Sequence, residues 1–569
     1  MDKSVVRGEN PVTVSRELSD ARRTASQWLT ATALFLATAA FTLWQNTRVA
    51  VLWDLTYLLD SSWRISLGQV PYRDFPFAHA PLTFMLHAAI IHVFGRVYFP
   101  HILCAALEAG TATLLTWRIL LKLIGDWPVA LLLATPLTVL SIYGIYPHPV
   151  YDSDAILAVL FALYLLQRDG TRPPQNVLTA AACVVPLFFK QNIGLFFLLV
   201  TLGAVAALAV LRRRQRLPIA SQLWFIVGAA AALAAALLAI HAAVGLHNYL
   251  YWTITFARQR RLPGLAVVLS VYRQTSLLWT IPAALAALFI LPREIRGARI
   301  AAILLLVAPF LWTMATLAFS NDPSDRADQF LSLWPHLLVL SAALALWNLH
   351  LASRAVNPSL NMLLPIILLV TIHATFLSQQ LWGSTYAIWP LLILLIAALL
   401  AQVPTIARPV AIVIAATFLI NGSLYAVSHE RLSYIQLDGT RAHATLPGLR
   451  GLTTPGPWIP GFEELVRVTN AEIPPNDGIL LVPGEDPLYF ATGRTPQFPI
   501  LLFDPATDPY TPQQTRDQAR DRNIRWLILD TNPQLAASPY DQLPAVTAVL
   551  LQDFAPYRTL ANFTIYRRR

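Results

Sequence analysis

Apolar residues in this chain come in long blocks rather than in a fine alternation. The first block runs from Trp28 to Trp44, and others fall at about 82–95, 101–121, 128–146, 154–167, 177–189, 193–211, 220–241, 276–291, 299–319, 330–349, 359–377, 386–402 and 408–427. Such blocks predict helices that cross a bilayer, which takes ~20 apolar residues, and several fall short of that length. Between them Lys and Arg return in every second loop: Arg118 and Lys122, Arg168 and Arg172, Arg212-Arg213-Arg214 and Arg216, Arg293, Arg296 and Arg299, and Arg354. Basic residues collect in cytoplasmic loops, so this alternation sets an orientation. Residues 1–26 form a cytoplasmic segment, and no small-residue cleavage site follows the first block, which reads as a retained helix. Arg118 and Lys122 are then inside only if one early block does not cross. The block at 82–95, the shortest nearby, is assigned as a juxtamembrane helix at the outer interface. The pattern predicts thirteen crossings within residues 27–427, with a large first external loop at 46–98.

Past residue 428 the apolar runs shrink to strand length, and Pro, Asp and Gly become frequent. Gly478 to Pro483 and Arg525 to Asp530 read as buried parallel strands, with a polar helix from Asp508 to Arg522 between them. The predicted fold is a polytopic all-α membrane domain followed by a small α/β extracytoplasmic domain over residues 428–569.

Composition agrees. Of 569 residues 56% are hydrophobic and only 13% charged, half the share of a soluble domain. Two cysteines, Cys104 and Cys183, both inside apolar runs, exclude a disulfide-stapled secreted domain. The net charge of +10 lies in short loops rather than on one face, so it reads as topology and not as a nucleic-acid surface. Lysines are scarce: Lys3, Lys122 and Lys190.

The chemistry-bearing residues concentrate outside. The first external loop reads WDLTYLLDSSWRISLGQVPYRDF from Trp53 to Phe75, then AHAPL from Ala78 to Leu82, and crowds Asp54, Asp60, Asp74 and His79 against the membrane surface. Partial desolvation raises the proton affinity of carboxylates there and suits them to general-base work; the plain alternative is helix capping or simple solvation. A second acidic stretch is Tyr151-Asp152-Ser153-Asp154, entering an apolar helix. A carboxylate there is costly and marks a functional position unless it caps the helix, the job expected for Asp152. Lys190, in LFFKQNIG, either pairs with a phosphate or snorkels. The loop after His241 carries Arg258, Arg260 and Arg261 outside, where a phosphate or lipid headgroups balance them. Asn321 to Asp328 lacks the Gly and terminal Glu of a calcium loop and reads as solvated. In Gln379 to Tyr386 and just beyond, Tyr386 and Trp389 are expected in the interfacial aromatic belt. Walker, GxGxxG, HExxH and GxSxG patterns are missing from the sequence.

An Asp just past the first helix, an aromatic amphipathic segment, Gly-x-x-Pro-Tyr-Arg-Asp-Phe and His-x-Pro-Leu together resemble the first external loop of GT-C superfamily glycosyltransferases. The resemblance is to the bacterial branch related to protein O-mannosyltransferases and lipid A aminoarabinose transferases, over about thirty residues. It implies a GT-C-like fold in a bacterial inner membrane and an inverting transfer from a polyprenyl-phosphate sugar to a glycan, lipid or protein acceptor. It implies Asp54 as catalytic base and supports Asp154 and Lys190 at the site; with them the residues themselves offer Asp74 as a further catalytic candidate and Tyr57, Arg73, His79, Asp152, Lys190 and Arg258 as candidates for binding substrate. No cofactor is required by it; Asp152 and Asp154 have DxD spacing, yet a divalent cation has no further support, and no metal ligand is assigned. The partners are lipid and sugar, with no nucleic acid. Where the family carries Glu after its Asp, this chain has Leu55, so any such help falls to Asp60 or Asp74. A lipid-linked glycan ligase or polymerase and a polyprenyl-linked sugar flippase are the alternatives. External placement of the acidic groups and the lack of an internal repeat weigh against transport.

Overall fold

The computed structural model describes residues 11–144, 146–168, 172–258, 264–293, 297–320, 333–377, 387–428, 432, 434–505, 507–538 and 540–569. The apolar blocks fold as helices: α1 Pro11–Asn46, α2 Leu52–Ser66, α3 Leu82–Phe94, α4 Phe99–Ile124, α5 Trp127–Ala134, α6 Tyr151–Leu166, α7 Pro173–Val184, α8 Gln191–Arg214 and α9 Ala220–Val244. After four short helical elements, Leu246–Leu250, Tyr251–Phe256, Leu265–Val268 and Leu269–Arg273, come α10 Leu277–Ile290, α11 Ala298–Phe319, α12 Leu333–Arg354, α13 Leu364–Thr375, α14 Trp389–Leu400 and α15 Ala407–Val427. Among the described residues seven helices are long and apolar enough to cross a membrane, within α1, α4, α8, α9, α11, α12 and α15. The other expected crossings form shorter helices, so length alone does not reach thirteen. Two of them end in proline-bearing 3₁₀ turns, at Thr135–Thr138 and Val185–Phe188, because proline removes a backbone donor and tightens the last turn.

The basic loops gather at one end. Lys122 at the foot of α4 donates to Gln167 O just past α6 (2.8 Å), and Arg212 at the foot of α8 donates to Asn357 Oδ1 beyond α12 (3.1 Å). At the other end sit α2, α3 and the C-terminal domain.

That domain holds a two-stranded antiparallel ribbon, β1 Arg441–His443 and β2 Thr453–Pro455, followed by α16 Trp458–Glu472, β3 Gly478–Val482, α17 Leu488–Thr492, α18 Pro512–Asp521, β4 Ile524–Asp530, α19 Leu543–Leu550, β5 Phe554–Thr559 and β6 Phe563–Arg568. The sheet order is β3-β4-β6-β5, with β3 and β4 parallel as the sequence predicts and β6 antiparallel to both neighbours. Alternation sorts its side chains: Ile479, Leu481, Trp526 and Ile528 face one core, Leu480, Val482, Leu527 and Leu529 the other. The first of these cores also takes in Leu52, Leu55 and Leu59 of α2, Ile91 of α3 and Ile102 of α4, so the two domains share it.

Trp389 departs from expectation. It is fully buried, edge-on to Trp334 with ring centroids 4.9 Å apart, rather than in an interfacial belt. The apolar run around it is core on all sides, which hydropathy cannot distinguish from a lipid-facing surface. Its expected companion Tyr386, with the rest of 379–386, lies outside the described residues, as do Asn321 to Asp328, Arg260 and Arg261.

Candidate active site

Helix α2 has two working faces. Thr56, Asp60, Trp63 and Arg64 turn toward the C-terminal domain. The Thr56 hydroxyl donates to Glu485 O (2.7 Å), Asp60 accepts the N–H groups of Tyr489 (3.3 Å) and Phe490 (2.6 Å), and Trp63 Nε1 donates to Arg494 O (2.9 Å). The Arg64 guanidinium, 2% exposed, donates to Pro499 O (2.6 Å) and Phe498 O and stacks on Phe75. Asp60 is thus committed to docking, not to helping Asp54. Burial pushes its carboxyl up to about 8 against the two N–H donors and Arg64.

Asp54 and Tyr57, one turn apart on the other face, begin the site. Asp54 Oδ2 accepts the hydroxyl of Tyr434 (3.0 Å), from the segment linking α15 to β1. Asp504 of the C-terminal domain adds a second carboxylate close to Asp54, Tyr57 and Tyr151. Burial pushes the Asp54 carboxyl up to about 7; the Tyr434 bond opposes this and the Asp504 charge adds to it. Asp54 nevertheless keeps some accessible surface.

Tyr57 O–H bonds His79 Nδ1 (2.8 Å), and the His79 ring packs on Tyr151 at 4.6 Å between centroids. Burial and the charge of Lys190 push His79 down to about 3, so it is neutral at physiological pH. In the tautomer that accepts from Tyr57, Nε2–H remains a donor. The turn before His79 is held by Tyr72, whose φ of 70° is a strained conformation for a tyrosine; its hydroxyl donates to His79 O (2.6 Å). Lys190 Nζ lies 4.8 Å from the Tyr151 ring centroid and forms a buried ion pair with Asp152. Lys190 is presented by the start of α8, where Gln191 donates to Ala78 O (2.9 Å) and fixes the His79 loop against that helix.

The structure therefore gathers Asp54, Tyr57, His79, Asp152 and Lys190, and leaves the other candidates elsewhere. Asp152 does not cap α6: the N-cap is Val150 and no side chain caps it, because Asp152 is turned to Lys190. Lys190, expected free to meet a phosphate or to snorkel, is paired instead. Asp154, assigned to the site from sequence, points away from this cluster toward Thr83 of α3 and Glu108 of α4. Arg73 and Asp74 pair with each other on the surface (2.8 Å), at 53% and 33% side-chain exposure, and Asp74 also accepts Val70 N–H (2.7 Å). The Arg73 bond holds that carboxyl below its usual range, the wrong direction for a base. Arg258 is exposed beyond the π-helical turn Tyr251–Phe256 and makes no hydrogen bond or ion pair with the cluster among the described residues. Sequence reading missed Tyr434, Asp504 and Tyr151. Tyr151 was readable beside Asp152; the other two come from loops whose sequence carries no pattern. Among the described residues no three His, Cys, Asp or Glu side chains converge as a metal site requires.

No protein-family model and no curated protein matches the chain. Among solved structures it is similar to ArnT from Cupriavidus metallidurans in the apo state, at 12% identity and TM-score 0.47, over 95% of this chain and 98% of that one. ArnT from the same organism bound to undecaprenyl phosphate gives 12% identity and TM-score 0.44, over 94% and 97%. The oligosaccharyltransferase of Archaeoglobus fulgidus in its apo form gives 11% identity and TM-score 0.47, over 95% of this chain and 74% of that one. These similarities extend over most of the chain.

Proposed function

We propose that this protein is an integral membrane glycosyltransferase that moves a sugar from a polyprenyl-phosphate carrier to an acceptor hydroxyl at the extracytoplasmic face of a bacterial cell membrane, with inversion. One observation carries the reading: Asp54, with a carboxyl poised near neutrality, stands in one cluster with a neutral histidine and a buried lysine. The basic loops at the opposite end, read by the positive-inside rule, support an external site.

In the transfer Asp54 takes the proton of the acceptor hydroxyl as its oxygen attacks the anomeric carbon. The bond from that carbon to the phosphate oxygen breaks, and the lipid phosphate leaves with the electron pair. Lys190, exchanging Asp152 for the phosphate, neutralises the growing charge in a site where burial makes such an interaction strong. His79 Nε2–H is a donor for a sugar or phosphate oxygen, and the rings of Tyr57 and Tyr151, which both pack on His79, frame the sugar. Charge neutralisation by Lys190 leaves a divalent cation dispensable in this scheme.

The test is label transfer in membranes supplied with radiolabelled polyprenyl-phosphate sugars. Asp54→Asn is expected to lose roughly 10²–10⁴-fold in rate at unchanged expression, the usual contribution of a general base. Equal transfer by wild type and variant would remove Asp54 from the reaction, and no transfer from any such donor would remove the donor class.

A further inference from the structure

Asp154 lies two residues past Asp152 on α6, yet its surroundings are different. It is 3% exposed; Oδ2 accepts the Thr83 hydroxyl from α3, while Oδ1 is sealed from solvent without a hydrogen-bond donor and faces the Glu108 carboxyl of α4. The Glu108 oxygens are served from outside the pair: Oε2 accepts the hydroxyl of the fully buried Tyr143 (2.7 Å), and Oε1 lies 3.6 Å from Cys104 Sγ. The neighbouring donors are thus spent on Asp154 Oδ2 and on the Glu108 carboxyl, and Asp154 Oδ1 is left facing that carboxyl with no donor of its own. Two carboxylates cannot both stay ionised at hydrogen-bond distance away from water. The nearest further charge on α6 is Asp152, balanced by Lys190, and on α3 the next titratable group, His87, is bonded to His101. No cation faces the pair among the described residues.

We propose that Glu108 and Asp154 share one proton, and that the resulting hydrogen bond between α4 and α6 is a positioning element that holds the first turn of α6, and with it the Asp152–Lys190 pair, in register with α3. The proton supplies the missing donor and lowers the charge of the pair from two to one. Asp154 therefore acts through Asp152 and does not touch substrate. The positioning part rests on the function proposed above; the shared proton does not.

The test joins infrared spectroscopy and the transfer assay on the full-length protein in lipid nanodiscs. An amide donates where the proton did, so Asp154→Asn and Glu108→Gln each leave an ionised partner carboxylate accepting from it. Each wild-type-minus-variant spectrum at neutral pH is expected to show the loss of one carboxylic-acid carbonyl band, while transfer stays within about threefold of wild type. Asp154→Leu, which leaves Glu108 facing a methyl group, is expected to lose roughly 10²-fold, the scale of a misplaced site. Difference spectra without a lost carboxylic-acid band overturn the shared proton. Loss of transfer in Asp154→Asn equal to that in Asp154→Leu overturns the positioning role. Should Asp154→Leu fail to fold, the two amide variants still decide the shared proton, and Glu108→Leu, with the same expected loss, takes its place in the positioning comparison. A wild type that transfers nothing defeats the function while the infrared comparison still decides the pair.

Discussion

A general base works only when deprotonated. With its carboxyl raised from 3.8 to about 7, Asp54 is half-ionised near neutrality, so transfer is expected to rise about tenfold per pH unit below 7 and level off above it. The two groups that tune it push in opposite directions. Asp504→Asn removes a neighbouring negative charge and should move the acid limb of the pH–rate profile to lower pH, while Tyr434→Phe removes a bond to the ionised form and should move it higher. A purely structural role for either residue would lower the rate without moving the limb. The folded chain also holds a proton at Asp54 that the unfolded chain releases once pH passes 3.8. Stability from this group therefore falls as pH rises to about 7, and Asp54→Asn should melt higher than wild type at pH 8 while it abolishes transfer. Asp54 was legible as a candidate because it sits in a dense local motif. Asp504 was not: it reaches the site only through the folding of a domain hundreds of residues away, and nothing in FDPATD marks it.

At the level of elements, the sequence shows where helices lie far better than what each face does. The blocks at 193–211 and 408–427 became α8 and α15 nearly residue for residue, since a membrane helix is defined by composition alone. By contrast α2 is an amphipathic helix whose polar residues are divided between chemistry and docking, and alternation alone cannot say which carboxylate serves which. Arg64 shows the division. Its guanidinium is spent on carbonyls of the segment Pro496–Pro499, and Arg64→Met would leave them buried and unpaired, a cost of roughly 3 kcal/mol. Limited proteolysis of the variant is expected to cut near residues 428–440 sooner than in wild type, with a lower melting temperature. Gly194, in the first turn of α8, tests the lysine. A Cβ there would lie 2.0 Å from Leu187 N and 2.2 Å from Leu187 Cα, both backbone atoms with no rotamer to yield. Gly194→Ala is expected to push α8 off the 3₁₀ turn that precedes Lys190, costing about 1–3 kcal/mol in overpacking and lowering transfer through a displaced Lys190. Unchanged melting and transfer would mean that the close approach has no part in placing it.

Viewed as a whole molecule, the chain is less divisible than its composition suggests. The change at residue 428 reads as a domain boundary, and the sheet beyond it is as predicted, yet the core beneath that sheet is completed by Leu52, Leu55, Leu59, Ile91 and Ile102 from the first hundred or so residues. Gln534 ties the same surfaces together: its side chain accepts Leu52 N–H (2.9 Å) and donates to Ala50 O (3.0 Å). Patterning cannot reveal such sharing, because the apolar face of α2 looks the same whether lipid or protein covers it. The consequence concerns independence. Residues 434–569 expressed alone would expose Trp458, Phe462, Phe490 and their neighbours where α2 packs, and at ~25 cal/mol per Å² the lost burial is comparable to the whole stability of a small domain. The isolated fragment is expected to melt without a cooperative transition and to bind hydrophobic dyes. Chains ending at residue 427 are expected to lose transfer outright, since Tyr434 and Asp504 leave with the domain and Asp54 is opened to water. A fragment that melts cooperatively, or a truncated chain that still transfers sugar, would show that the C-terminal domain is an accessory resting on a complete site rather than one wall of it.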